Sequence, residues 1–164
     1  NMINIKEIIE KKIVTKKDVL FDIAQWRFKS DKVVFTNGCF DILHLGHIEY
    51  LAKAYSLGDR LIIGLNSDTS VKALKGDGRP VNPQEARAMV LAALRFVDRV
   101  VIFNEETPYE LIRSIKPDVL VKGGDYNPEE IAGYDIVKGS GGEVVIIDFV
   151  EGYSTTDIIR KTGK

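Results

Sequence analysis

Cysteine is nearly missing from this sequence: Cys39 is the only one in 164 residues. That excludes an internal disulfide framework and a cysteine-built zinc cage. No apolar run approaches the ~20 residues needed to span a bilayer. The opening stretch 1–12 is charged throughout, so no secretory leader is read there, and a reducing cytoplasm is the expected compartment. Asn1 ahead of Met2 reads as a residue left by an expression tag. Charge of one sign is not in excess either. Lys and Arg total 23 against 24 Asp and Glu, a formal net charge of -1. This balance argues against a chain-wide footprint for nucleic acid or an anionic membrane. It leaves room for a local basic pocket that takes a small anion.

What is present suits one globular domain. The apolar fraction of 45% and the charged fraction of 29% are ordinary. At this length roughly 70% of the unfolded surface can be buried, so the core needs no staple. Residues 1–30 read as an N-terminal helical segment packed on the domain that follows. Asn4 and Thr15 are candidate caps for two helices, with Glu7 and Asp18 three residues on. Val19, Leu20, Ile23, Ala24 and Trp26 give the second helix a face to bury.

From residue 31 the pattern changes. Five short apolar runs, Val33–Phe35, Leu61–Leu65, Val100–Phe103, Val119–Val121 and Val144–Ile147, predict strands covered on both faces. Helical patterns alternate with them. One starts near His47 and stops at Gly58, and a last one starts at Ser154. Asn82-Pro83, Thr107-Pro108 and Asn127-Pro128 announce three more. Each of these offers a cap, a proline at the first helical position and a glutamate at the third. The alternation predicts an α/β, Rossmann-like doubly wound sheet of five parallel strands with right-handed crossovers.

In such sheets ligands bind beyond the carboxyl ends of the strands. Both histidines lie there, three apart, in His44-Leu45-Gly46-His47 after the first strand. A helix start offers free N–H donors and the positive end of a dipole. Gly46 would let a ligand approach the backbone. An anion there would raise both imidazole pKa values. A capping or core role for the pair is the plain alternative. Zinc would need a third ligand, for which only Asp41 is near. The glycines spell neither the dinucleotide fingerprint nor the Walker A loop.

The run Thr36-Asn37-Gly38-Cys39-Phe40-Asp41-Ile42-Leu43-His44-Leu45-Gly46-His47 resembles the signature of the HxGH nucleotidyltransferases, the cytidylyltransferase-like superfamily. Within it the chain is most similar to the D-glycero-β-D-manno-heptose 1-phosphate adenylyltransferases. Asn66-Ser67-Asp68, Leu74-Lys75-Gly76, Arg79-Pro80, Arg87, Pro117–Tyr126 and Gly152–Thr156 carry that likeness over almost the whole chain. The resemblance implies a nucleotidyltransferase domain over 31–164. It also implies transfer of AMP from ATP, with Mg2+, to a heptose 1-phosphate, making ADP-heptose for lipopolysaccharide or another surface glycan. Some relatives carry a sugar kinase ahead of this domain; the length here suggests the stand-alone form.

The resemblance also implies roles for individual residues. His44, His47, Lys75 and Arg87 would act on the reacting phosphates. Thr36, Asn37, Gly38, Phe40, Gly46, Lys122, Gly124, Asp125, Ser154, Thr155 and Thr156 would line the nucleotide site. Asp41, Asn66, Asp68 and Arg79 would face the acceptor. Asp41 could orient a histidine or lie near the magnesium; the metal's ligands are not readable. Lys72–Pro80 reads as a mobile loop able to close over substrate. In some relatives an arginine follows the hydroxyl cluster by three residues. Here Arg160 comes one later, which puts a phosphate role for it in doubt. A cytidylyltransferase acting on glycerol 3-phosphate or a related alcohol phosphate is the nearest alternative. A nucleotide sensor without catalysis is more distant. The helical segment and open sheet edges suggest a homodimer.

Overall fold

The computed structural model describes residues 2–163, so the reading of Asn1 lies outside the described residues. The five apolar runs form β1 (Val33–Gly38), β2 (Arg60–Asn66), β3 (Arg99–Phe103), β4 (Val119–Gly123) and β5 (Glu143–Ile147). Neighbours pair in parallel in the order β3-β2-β1-β4-β5. Parallel strands need crossover elements. They are α3 (Leu45–Tyr55), α4 (Asp68–Lys75), α5 (Gln84–Ala92), α6 (Tyr109–Ile115) and α7 (Tyr134–Gly139). Two helices precede the sheet, α1 (Ile5–Glu10) and α2 (Lys16–Phe28), and α8 (Thr155–Lys161) follows it. The fold is the expected doubly wound α/β sheet.

Strand side chains alternate between two apolar layers. Val34, Leu61, Ile63 and Leu65 pack under α3 and α5 through Leu51, Ala54, Ala88 and Leu91. Val33, Phe35, Ile62 and Leu120 pack against Val19, Ile23 and Trp26 of α2 and Leu111, Ile112 and Ile115 of α6. The second helix of segment 1–30 is therefore one of the covering helices, although its Ala24 faces solvent. Asn4 and Thr15 cap as their spacing predicts, accepting from the Glu7 and Asp18 amides at 3.4 and 3.2 Å.

Several local expectations are corrected. Pro83 and Pro108 stand one residue ahead of their helices, not inside them. Asn82 does not cap; its side-chain amide donates to the Asp41 carbonyl at 2.8 Å. Asn127-Pro128 opens a single 3₁₀ turn over Pro128–Glu130, and α7 begins only at Tyr134. The reason is Ile131, which is buried against the α6 layer and draws the chain out of helical geometry. Gly133 then turns it back at φ 90°, where a Cβ would sit 2.7 Å from Ile112. Residues 72–75 are the last turn of α4, so the expected loop starts at Gly76. The β3 edge is not open along its whole length. Val14 N–H donates to the Val100 carbonyl at 3.0 Å, and Val100 N–H to the Lys12 carbonyl at 2.9 Å.

The sheet's other end is pinned by carboxylates. Asp59 accepts from Lys32 N–H at 2.7 Å, Asp118 from Val33 N–H at 2.8 Å and Asp98 from Leu61 N–H at 2.8 Å. Asp98 also pairs with Arg60 at 3.4 Å. Asp98→Ala leaves the amide of the fully buried Leu61 without its acceptor. The expected loss is about 1–3 kcal/mol. It is read as a lower midpoint in urea unfolding at unchanged slope, and an unchanged midpoint would show that water replaces the carboxylate.

Candidate active site

The carboxyl ends of the strands border a cleft of about 710 Å³, within the range of small-molecule sites. Its first wall is the β1–α3 connection. Phe40 holds a left-handed backbone at φ 44° and a buried ring. That ring fills the space a Cβ on Gly38 would enter, 2.9 Å away. The chain then enters α3 with His44 at its cap position and His47 in its first turn.

The two imidazoles face each other with centroids 3.9 Å apart. His47 Nδ1 accepts from the His44 backbone N–H at 3.3 Å. That bond places the proton of a neutral His47 on Nε2. Burial, with His44 beside it, pushes the His47 pKa down to about 4; burial also lowers that of His44. Both rings are thus neutral donors near pH 7 before any anion arrives. His44 Nδ1 is buried with no hydrogen-bond partner among the described residues. Gly46 lines the cleft, and its missing Cβ also leaves room for its neighbours. A Cβ there would stand 3.0 Å from the His44 ring and 3.3 Å from Tyr153.

The second wall is a strap from Lys75 to Asn82. Asp41 clasps it, accepting from Val81 and Asn82 amides at 2.9 Å and from Arg79 Nε at 2.8 Å. Burial alone would raise the Asp41 carboxyl; the Asn82 and Val81 amides and the Arg79 guanidinium outweigh it and hold it below the usual value. Asp41 also lines the cleft, and its hydrogen-bond partners are all on the strap. Among the described residues no group of three His, Cys, Asp or Glu side chains is placed to hold an ion. Lys75 and Arg79 line the cleft.

Arg87 is a correction. Expected at the reacting phosphates, it is 2% exposed and does not line the cleft. Its guanidinium donates to the Asn82, Cys39 and Asn66 carbonyls at 2.9, 2.7 and 2.8 Å and to Asp68 at 2.7 Å. It holds three cleft segments from behind. Asp68, expected at the acceptor, is occupied as its partner. Thr36 is also a strut: fully buried, its hydroxyl pairs with that of Tyr50. Asn66 lines the cleft, and its amide donates to Ser70 at 2.9 Å.

The third wall combines the end of β4 with the β5–α8 segment. Lys122, Ser154, Thr155 and Thr156 line the cleft together with Asn37, Gly38, Phe40 and Gly46. Burial lowers the Lys122 pKa. Ser154 caps α8 by accepting from Asp157 N–H at 3.0 Å. Thr155 donates to the Ile42 carbonyl at 3.2 Å, tying α8 to the histidine loop. Gly124 and Asp125 do not line the cleft. Arg160 lies outside it, 3.9 Å from Asp157 on an exposed helix face. Residues not expected here are Tyr50, Tyr126, Phe149 and Tyr153, together with Glu106–Pro108 and Glu130–Ala132. Except for Tyr50, which lies within α3, their position after strand ends was a usable signal; their apolar or charged character hid most of them.

The chain is 56% identical to the "Bifunctional protein HldE" of Wolinella succinogenes over 93% of its own length and 31% of that protein's. It is 63% identical to the protein of the same name from Nitratiruptor sp. over 81% of its own length and 28% of that protein's. The chain thus spans about a third of the curated relatives it matches. A solved structure titled as the lipopolysaccharide core biosynthesis protein of Thermoplasma volcanium superposes with TM-score 0.60 at 28% identity, covering 76% of this chain and 99% of that one. A cytidylyltransferase-like domain is matched over residues 35–161, and the chain belongs to that family of nucleotidyltransferases.

Proposed function

We propose that this chain transfers AMP from MgATP to D-glycero-β-D-manno-heptose 1-phosphate, forming ADP-heptose and pyrophosphate for a surface glycan such as lipopolysaccharide. The observation that carries the reading is the convergence on one cleft of the His44–His47 pair at a helix start with Lys75, Arg79, Lys122 and Thr156. The heptose motifs of the sequence and the likeness to HldE proteins narrow the acceptor. A homodimer belongs to the same reading, supported by the exposed Ile5, Ile8, Phe21 and Phe28 of the first two helices.

The proposed chemistry asks for placement and charge, not for a base. A phosphate monoester has its second pKa near ~6 and is already a dianionic nucleophile at neutral pH. It attacks the α-phosphorus in line, the P–O bond to the β-phosphate breaks, and pyrophosphate leaves with the electron pair. His47 Nε2–H and His44 donate to oxygens that gain charge. Lys75 and Arg79 receive the acceptor phosphate. Lys122 and the Thr156 hydroxyl hold the departing phosphates.

Pyrophosphate release tests the reading directly. ATP and CTP are each paired with heptose 1-phosphate and glycerol 3-phosphate. Turnover is expected with ATP and the heptose phosphate; turnover confined to CTP and glycerol phosphate would replace that substrate assignment. His47→Ala should keep the fold and lower kcat by about 10²–10³, the usual loss of one oriented transition-state donor. Wild-type turnover in folded His47→Ala would remove His47 from the chemistry.

The pH profile has a definite sign. His47 in the free protein titrates near about 4, so it is neutral across pH 6–8. kcat/KM should rise through the acceptor phosphate's ionisation near ~6 and then stay level. A fall between pH 6 and 8 that disappears in His47→Ala would mean that the free site needs an imidazolium.

A further inference from the structure

Phe149 is 62% exposed and lines the cleft. Gly123 ends β4 and Gly124 follows it, and without side chains they leave room beside the strand end. The structure fills that room with the Phe149 ring. A Cβ on Gly123 would lie 2.7 Å from the ring and 3.0 Å from Tyr50; one on Gly124 would lie 3.0 Å from the ring. Gly124 itself sits at φ 112° and donates its N–H to the Ile147 carbonyl at 3.1 Å. Tyr50 closes the socket, tilted 49° at 6.4 Å. One side of Phe149 is thus seated in a built socket, and the rest opens to the cleft.

We infer that Phe149 is the platform on which the nucleobase stacks, and that it biases the site toward purine nucleotides. This rests on the adenylyl-transfer reading. Its place in the sheet favours a base over the acceptor sugar. Phe149 follows β5 at one flank of the order β3-β2-β1-β4-β5. It shares a connection with Ser154–Thr156, whereas Arg79 and Lys75 reach in from the β2 side. Tyr153 on that same connection stacks on His44, centroids 6.2 Å apart, linking the platform's segment to the phosphate end. A phenyl ring reads no base edge. It discriminates by shared π-surface, which is larger for a purine than for a pyrimidine.

Calorimetric titration separates the roles. ATP, CTP and inorganic tripolyphosphate, each with magnesium, and heptose 1-phosphate are titrated into wild type, Phe149→Ala and Phe149→Trp. Loss of one stacked base corresponds to about a 5- to 150-fold weaker affinity. ATP affinity should fall by that factor in Phe149→Ala, CTP affinity by less, and tripolyphosphate affinity not at all. Phe149→Trp should restore ATP binding. Unchanged ATP affinity in Phe149→Ala overturns the inference and leaves the function standing. Equal loss for ATP and tripolyphosphate, or a loss confined to heptose 1-phosphate, overturns it too. Wild-type protein that binds tripolyphosphate but neither nucleotide overturns the adenylyl-transfer reading and the platform with it.

Discussion

A buried guanidinium sets the shape of the cleft. At 2% exposure the charge of the Arg87 guanidinium must be met by protein. It is met by three carbonyls and one carboxylate, from the β1–α3 turn, the end of β2, the strap and the start of α4. Removing a partner from such a group leaves an uncompensated charge and costs several kcal/mol. The four segments are therefore positioned together. Asp41 completes the arrangement with opposite sign, taking strap amides that would otherwise lack partners. The cleft's cations can then face outward, because the structural charges behind them are already satisfied.

The glycines of the site follow a related logic. At Gly38, Gly46 and Gly123 the missing Cβ makes room for Phe40, His44 and Phe149 respectively. These rings are the groups that shape the cleft or face it. Glycine here acts through its neighbours' packing more than through its own flexibility, since none of the three has a positive φ. A substitution at any of them would be felt first as a displaced ring.

How much of this was legible in the sequence depends on the kind of signal. The five strands were, because β-branched runs buried on both faces have few other uses. The helix starts at Asn4, Thr15 and Ser154 were, because a cap is a local interaction. The starts after Pro83, Pro108 and Pro128 were misplaced. Asn82 is drawn to Asp41 and Ile131 to the α6 layer, contacts 41 residues away in one case and purely tertiary in the other. The histidine pair, Lys75, Arg79 and the hydroxyl cluster do border one cleft. Arg87, Asp68 and Thr36 were read as contacting ligand because polar residues in a motif look alike in sequence. Burial distinguishes Arg87 and Thr36 from lining groups, and the pairing with Arg87 accounts for the half-exposed Asp68.

The histidine pair bears on how such a site avoids holding its product. Two rings 3.9 Å apart and partly buried resist protonation in the free protein, and His47 is the more resistant. Neutral N–H donors bind phosphate less tightly than ammonium or guanidinium groups do. Their proton affinity rises as negative charge gathers on nearby oxygens. In the proposed reaction, charge gathers most on the α-phosphate and the leaving bridge oxygen at the transition state. A donor that strengthens there favours that state over bound substrate, which is the requirement for rate. Permanent cations in the same position would hold substrate, transition state and pyrophosphate alike. Lys75 and Arg79 stand on the strap side of the cleft, and the imidazoles alone occupy the start of α3.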